Sequence, residues 1–169
     1  MNDFKNTNEV IRKFAKYVIQ QSRTNLTKKR KNVNKELYNS LSFEQKQIQD
    51  IFSLDMFMMD YGKFQDKGVN GKNKNYGSLY SFRNKKPPMQ PLADWAKARN
   101  IRLRDEKGRY KKGNYRTIGF ILQKSIYENG IKPSLFFTKP FEKAWSLFPE
   151  QFLEAYGKDM DAEFEARIR

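Results

Sequence analysis

The stretch NTNEVIRKFAKYVIQQSRTNL, residues 6–26, contains the clearest periodic signal in the chain. Val10, Ile11, Phe14 and Val18 recur at steps of one helical turn and so share one face, while cationic side chains lie on the opposite face. This pattern predicts an amphipathic α-helix over residues 6–26.

Both ends of this helix carry signals of their own. Asn6 is predicted as the N-cap, with Glu9 three positions on to return the hydrogen bond to the backbone. At the other end, residues 27–32 form the basic run TKKRKN. The run is either the frayed last helical turn, where cations suit the negative end of the helix dipole, or an exposed loop.

Residues 36–60 lose the helical period and are predicted as two strands. Apolar residues from Leu37 to Phe43 form the first extended run and those from Ile48 to Met58 the second, with a polar turn near residues 44–49 between them. A short helix over the Gln-rich stretch is the alternative.

Residues 61–115 are predicted as long basic loops interrupted by one short helix. The helix runs from Leu92 to Asn100, with Leu92, Trp95 and Ala96 facing inward. The loop segments are a glycine-punctuated turn at 60–71, a loop rich in Gly, Asn, Lys and Pro at 70–91, and a second basic loop at 101–115 with its tip at 105–109.

Residues 115–169 are predicted as C-terminal helices. One helix runs from Tyr115 to Asn129 and is closed by Gly130, where a left-handed residue is favoured. The next runs from Phe141 to Ile168, either unbroken or broken near Pro149. The sequence therefore predicts a single α+β domain over residues 1–169, in which a small antiparallel sheet packs against an N-terminal helix and C-terminal helices, with long basic loops.

The composition limits the chemistry that the chain can support. Its 169 residues include no cysteine and no histidine. Disulfides, thiolate nucleophiles, every Cys-containing zinc site and the commonest general base near neutral pH are therefore missing. We expect a protein that is not an enzyme and that uses no cofactor and no metal.

Aromatic residues and hydropathy bound the class of protein further. Phe, Tyr and Trp number 14, 9 and 2, which favours a folded chain whose core is built mainly from rings. No stretch of 18 consecutive apolar residues occurs, and the N-terminus has no apolar run of signal-peptide length. We expect a soluble protein with no membrane partner.

Positive charge is concentrated in the middle of the chain. The net charge is +15, and residues 61–116 contain 16 Lys or Arg against 4 Asp or Glu, whereas residues 140–169 contain 4 against 7. This distribution suits an anionic polymer such as DNA, and also a neighbouring copy that presents the opposite charge.

Two groups of residues are candidates for catalytic or metal sites. Asp105 and Lys107, with Asp94 upstream, fit half of a metal-dependent nuclease signature, but they lie in a polar tip without a strand pattern, which favours a solvated turn. The other group is acidic and is interpreted as a solvated helix surface, because its spacing scatters it around the helix. It comprises Asp159, Asp161, Glu163 and Glu165.

Aromatic and cationic residues alternate in the loop at 70–91. They are Tyr76, Tyr80, Phe82, Arg83, Lys85 and Lys86. They either stack on bases and neutralise phosphates, or the rings anchor the loop to a neighbouring surface, and the second interpretation is favoured. Gly62, Gly68 and Gly71 are interpreted as turn glycines, since they do not join a strand to a helix as a phosphate-binding loop requires.

Three short motifs organise these segments: ELYNSL at 36–41, YGKFQDKG at 61–68 and FFTKPF at 136–141. Their order, after an N-terminal helix and around a basic loop, resembles the tail-completion or head–tail connector (neck ring) proteins of tailed double-stranded DNA bacteriophages, including the version in crAss-like phages. The most specific motif is YGKFQDKG, in which Asp66 stands where Glu is usual.

The resemblance implies a structural virion protein of the phage neck. It would be a ring subunit, in six or twelve copies, that joins the portal and head to the tail and lines or surrounds the DNA channel. Its partners would be further copies of itself and the portal or adjacent neck and tail proteins, with non-specific contact to packaged DNA. It would be located in the virion neck or tail after assembly in the host cytoplasm. The alternative is a stand-alone basic nucleic-acid-binding protein.

Three groups of residues are predicted to carry this function. The structural or interface motif comprises Tyr61, Gly62, Phe64, Asp66 and Gly68. The basic residues that face a partner or DNA are Arg83, Lys85, Lys86, Arg102, Arg104, Arg109, Lys111 and Lys112. The core or subunit contacts are Phe136, Phe137, Phe141, Trp145, Phe148 and Tyr156.

Overall fold

A computed structural model of the protein describes residues 4–29 and 34–168. Within these ranges the chain forms seven helices and one two-stranded antiparallel sheet, so the predicted α+β class is confirmed. The elements are α1 (Lys5–Lys28), α2 (Glu36–Ser40), β1 (Ser42–Ile48), β2 (Ile51–Phe57), α3 (Gly62–Lys67), α4 (Met89–Ala98), α5 (Tyr115–Asn129), α6 (Thr138–Trp145) and α7 (Phe148–Ile168). None of the helices in the described ranges is long and apolar enough to cross a lipid bilayer.

Helix α1 confirms the predicted N-terminal helix and extends it at both ends. Its apolar face is buried, including Ile11, Phe14 and Val18. The predicted N-cap is wrong, because Phe4 precedes the first helical residue and Asn6 lies inside the helix. Of the predicted basic run, Lys28 is the last helical residue, and residues 30–32 lie outside the described part of the chain.

The two strands are confirmed, but their turn is not where the sequence predicted it. Residues 44–48 belong to β1, and the hairpin turns at Gln49, which has a positive φ of 54°. Side chains of β1 alternate between exposed and half-buried, and glutamines occupy two of the half-buried positions. Because Gln45 and Gln47 are polar, the two-residue period is invisible to a hydropathy pattern. Both bond to the Asn8 side chain of α1 at 2.6 Å, and the alternative of a helix here is wrong.

The segment before β1 is helical, where an extended run was expected. Residues 36–40 form the single turn α2, and Leu37 from this turn is buried. It lies in a cluster of buried apolar side chains with Ile19, Leu26, Leu41 and Phe136. A one-turn helix leaves too few residues for a helical period to be recognised.

The chain divides into two compact units. The first comprises residues 4–29, 36–59 and 136–168 of the described chain, and so contains α1, α2, the β-hairpin, α6 and α7. The second comprises residues 34–35 and 60–135, with α3, α4, α5 and the loops between them. The expectation of a single domain over residues 1–169 stays a prediction.

Rings form much of the interior of the first unit. Phe14 of α1 lies 4.7 Å from Phe148 and 5.6 Å from Phe141, measured between ring centroids. Phe4 stacks on Tyr156 of α7 at 5.4 Å. Hydrogen bonds between Asn8 and β1 place the sheet beside α1, and α6 and α7 pack against the same helix through aromatic contacts.

Helices α4 and α5 pack closely in the second unit. A Cβ at Gly119 of α5 would approach the Ala93 methyl group of α4 to 2.9 Å. The short distance between the two helices therefore depends on small residues at these positions. Helix α4 begins at Met89, earlier than predicted, and Ala93 and Ala96 are its buried residues. The prediction that Trp95 faces inward is wrong, since its side chain is 40% exposed.

The remaining boundaries largely follow the sequence signals. Helix α5 has the predicted bounds, and Gly130 follows it with a φ of 71°. The last predicted helix is broken into α6 and α7 just before Pro149, which stands in the first turn of α7. Proline is tolerated there because the first helical amides have no partner within the helix. The turn expected at 60–71 is in fact the helix α3 followed by Gly68.

Candidate interaction surfaces

The second basic loop folds back on itself as an ordered arm, which we call the basic hairpin (residues 101–112). The two sides of the hairpin pair at Arg104 and Tyr110. Backbone hydrogen bonds run from Lys111 N to Leu103 O at 2.9 Å and from Asp105 N to Arg109 O at 2.8 Å. The predicted tip is thus confirmed as a hairpin turn.

Asp105 holds the tip of the basic hairpin. Its carboxylate accepts bonds from the backbone amides of Lys107 at 3.0 Å and Arg109 at 2.8 Å, and from Arg109 Nε at 3.1 Å. These bonds use the carboxylate to shape the turn, as aspartate commonly does. Asp105 and Lys107 therefore lie in the solvated turn that the sequence favoured over a nuclease site.

Two arginines of the basic hairpin lie over one ring. The guanidinium carbon of Arg104 is 4.5 Å from the centroid of Tyr110, and that of Arg102 is 5.5 Å away. Arg104 also donates to Gly108 O at 2.7 Å and to the Tyr110 hydroxyl at 3.2 Å. The arm thus presents guanidinium groups that are already held in place.

All eight basic residues predicted to face a partner are exposed. Five of them belong to the basic hairpin, and Arg83, Lys85 and Lys86 lie in the loop before α4. Among the described residues, Arg109 is the member of this set that has a carboxylate within ion-pair distance. The other seven cations are therefore available to an external anion.

The loop at 70–82 is ordered by Asn70. The Asn70 side chain accepts bonds from Tyr76 N at 2.7 Å and Ser78 N at 3.2 Å and donates to Ser78 O at 2.7 Å. Its backbone bonds to Tyr80 O and Phe82 N. Tyr80 packs edge-on against Phe64 at 4.8 Å, so this ring anchors the loop, as the favoured interpretation predicted.

The motif at 61–68 forms α3 and its exit. Gly62, Asp66 and Gly68 are buried, Phe64 is half-buried and Tyr61 is 43% exposed. The Asp66 carbonyl accepts bonds from Ser134 N and Leu135 N, and a Cβ at Gly68 would collide with the Pro133 ring. The motif thus lies against residues 131–135, and its part in a subunit interface stays a prediction.

The six predicted core or subunit contacts differ in burial. Phe136 is fully buried, Trp145 is 50% exposed, and the other four are half-buried. Five of them stack in chain order along α6 and α7 together with Phe152, at centroid separations of 5.5 to 6.1 Å. Trp145 also lines an open groove of about 640 Å³ between α1, β2, α6 and α7. It is the member best placed to meet another molecule.

Asp159 has a structural role that the sequence did not reveal. Its carboxylate accepts four bonds from the start of α1, from the backbone amides of Asn6 at 3.1 Å and Thr7 at 2.8 Å, and from their side chains at 2.8 and 2.7 Å. Burial of Asp159 raises its pKa, but the bonds from Thr7 and Asn6 outweigh this, and the pKa lies below its ordinary value. The interpretation of Asp159 as a solvated residue is wrong.

This carboxylate replaces the missing N-cap of α1. The first helical amides need acceptors from outside the helix, and a negative charge is favoured at that end of the helix dipole. Asp159 satisfies both needs from α7, 152 residues away from Thr7. No local pattern could show this, because the two residues meet only in the folded chain.

Helix α7 has an exposed apolar face, which we call the α7 stripe (Leu153, Met160, Phe164, Ile168). Leu153, Phe164 and Ile168 are 67%, 59% and 84% exposed, and Met160 is half-buried. Their spacing places them on one side of the helix. The α7 stripe is flanked by acidic residues at 154, 161, 163 and 165.

Charge is divided unequally between the two units. In the described ranges, the first unit contains 12 Lys or Arg and 12 Asp or Glu, whereas the second contains 19 and 6. The excess positive charge of the described residues therefore belongs to the second unit, which includes the basic hairpin.

Searches of protein-family models, curated proteins and solved structures found no match to this chain. Within the part of the chain that the structure describes, no three or more His, Cys, Asp or Glu side chains are grouped so that they could hold a metal ion.

Proposed function

We propose that the protein is a structural subunit of the neck of a tailed bacteriophage, which assembles in six or twelve copies into a ring that joins the portal and head to the tail. The observation that carries this proposal is the division of charge between a balanced first unit and a strongly basic second unit. A subunit built this way offers two unlike surfaces on one chain.

Ring assembly requires unlike surfaces that complement each other. In a cyclic ring each subunit uses one patch to bind its neighbour on one side and a different patch on the other side. The α7 stripe, apolar and flanked by acidic residues, is one candidate patch. The basic surface of the second unit in the next copy is its complement, because opposite charges steer and align partners.

The α7 stripe also has the character of an interface. Exposed apolar side chains that lie together and are bordered by charge mark contact surfaces more often than isolated ones do. Phe164 is an aromatic residue, a class that is enriched at protein interfaces. A second copy covering this face would remove three mostly exposed apolar side chains from water.

A stand-alone nucleic-acid-binding protein is the second candidate. The ordered basic hairpin favours it, since its arginines are exposed and held in place without any neighbouring subunit. A monomer that binds DNA with a steep salt dependence would fit this candidate and not the ring.

Light scattering on a variant of the α7 stripe tests the ring directly. Leu153→Gln with Phe164→Gln should shift the purified chain from ring-sized particles to smaller species. The control is Ile48→Gln with Ile51→Gln, which removes two apolar side chains that are each 70% exposed at the hairpin turn and should leave the particle size unchanged. Particles of unchanged size in the α7 variant, or a wild-type monomer, would contradict the proposal.

A further inference from the structure

We propose that the basic hairpin binds the phosphate backbone of double-stranded DNA through one face that carries Arg102, Arg104 and Lys112, without reading the bases. This goes beyond the proposed ring, and it specifies how the second candidate, a stand-alone binder, would contact DNA. The arm, its register and the two arginines over Tyr110 carry the inference.

The register of the hairpin places the three cations together. Arg104 pairs with Tyr110, and the bond from Lys111 N to Leu103 O continues the same register, so Arg102 lies opposite Lys112. Side chains two residues apart on a strand point to the same face and are about 6.7 Å apart. Arg102, Arg104, Tyr110 and Lys112 therefore share one face, and all four are exposed.

Tyr110 acts as a support for the arginines. Because both guanidinium groups already lie over its ring, a nucleic-acid base that stacks on Tyr110 would compete with these cation–π contacts. Proteins that bind single strands without sequence preference combine a positively charged groove with aromatic side chains on which the bases stack. The arrangement therefore favours contacts with the backbone over contacts with bases.

The ligand class follows from shape and charge. A two-stranded β-ribbon fits the major groove of B-form DNA, and guanidinium groups bind phosphate oxygens through paired hydrogen bonds. Over residues 101–112 the arm carries six cations against Asp105 and Glu106, and Asp105 is used by the turn. Cations also lie on the other face, at Lys111, so the arm is positive all round and suits a continuous polyanion better than a single carboxylate.

The inference is tested by titrating the full-length protein against a fluorescent 30-base-pair duplex at several salt concentrations. Arg102→Gln, Arg104→Gln and Lys112→Gln are combined in the hairpin variant. Each lost phosphate contact lowers the magnitude of the slope of log K against log salt concentration by about 0.9. The loss of three contacts should therefore lower it by about 2.7. The ratio of the wild-type affinity to the affinity of the hairpin variant should therefore fall about 40-fold as the salt concentration rises from 50 to 200 mM.

The control variant removes the same charge from the first unit. It combines Lys16→Gln, Lys28→Gln and Lys139→Gln, which are exposed cations without an ion-pair partner among the described residues. Its salt slope should match that of the wild type. If both variants lower the slope equally, net charge alone accounts for binding and the inference fails. The inference also fails if the wild-type protein does not bind the duplex, which is the result expected if the basic hairpin binds a protein partner instead.

Two further measurements separate contacts with the DNA backbone from contacts with the bases. Tyr110→Phe keeps the ring under both arginines and should bind the duplex as the wild type does, whereas Tyr110→Ala should bind it more weakly. A single strand of the same length that binds more tightly than the duplex would overturn the inference. Particle mass measured on the same samples keeps the two proposals apart, because a monomer with the expected slope difference contradicts the ring alone.

Discussion

Asp159 connects α7 to the first turn of α1 through four hydrogen bonds to a single carboxylate. Asp159→Asn keeps the size of the side chain but removes its charge and places an amide donor against the donors of Thr7. Hydrogen bonds to charged groups contribute about 1.5–3 kcal/mol each, so we expect the free energy of unfolding to fall by about 1–3 kcal/mol in urea titrations. Asp161→Asn, on the exposed side of α7, should change it by less than about 0.5 kcal/mol. Equal effects of the two changes would contradict the capping role.

The same carboxylate predicts a pH dependence. The pKa of Asp159 is lower in the folded state than the ordinary value of about 3.9. Between these two pKa values the unfolded chain therefore binds more protons than the folded chain does. The stabilisation by Asp159 is therefore complete well above about pH 4 and is lost as the pH falls through the folded-state pKa. The difference in unfolding free energy between wild type and Asp159→Asn should shrink from pH 7 to pH 3. A difference that is constant over this range would refute the linkage.

Gly71 and Gly130 bring two backbone segments of the second unit into close contact. A Cβ at Gly71 would collide with the backbone of residues 128–130, and Gly130 also requires a positive φ. Gly71→Ala should lower the free energy of unfolding by at least about 2 kcal/mol, because backbone atoms cannot move aside cheaply. Gly157→Ala is the matched control, because a Cβ on this α7 residue would meet no neighbouring atom. Alanine should stabilise the helix there by about 0.5–1 kcal/mol relative to glycine. Thermal unfolding measures both, and an unaffected Gly71→Ala would show that the segments can separate.

At the scale of elements, α1 is the helix on which the first unit depends. Phe14 is buried against the rings of Phe141, Trp145 and Phe148. Phe14→Ala should lower the free energy of unfolding by about 3–5 kcal/mol, as deletion of a core ring does. Trp145→Ala should cost less, because half of that side chain is exposed. Chemical unfolding compares the two, and a larger loss at Trp145 would contradict the described packing.

The elements also show what could be predicted from the sequence. Helices α1 and α5 were predicted because each carries an apolar face over at least 15 residues, and Gly130 marked the end of α5. Helices α2 and α3 span 5 and 6 residues, too few for a period to repeat. In β1 two of the half-buried positions are glutamines that bond to Asn8, so a polar turn was predicted near residues 44–49, of which 44–48 belong to the strand.

The candidate interaction surfaces were predicted only in part. The eight basic residues are exposed as charge and loop composition indicated, since solvated cations need no long-range partner. The α7 stripe and the role of Asp159 were missed. An apolar helical period is the same whether its face is covered or open, and Asp159 meets Thr7 only after residues far apart in the chain have folded together.

At the scale of the whole molecule, the chain combines a unit of balanced charge with one that carries the positive excess. The concentration of charge in the middle of the chain was evident from the sequence. The composition of the first unit was not, because it is assembled from three separate segments. Unlike surfaces on one chain are what repeated head-to-tail contact between copies requires.

Native mass spectrometry of the purified wild-type chain tests this most directly. The proposed neck ring predicts one dominant particle of six or twelve chains that persists on dilution and dissociates as salt screens the opposite charges. A single chain at every protein concentration and at low salt would contradict it.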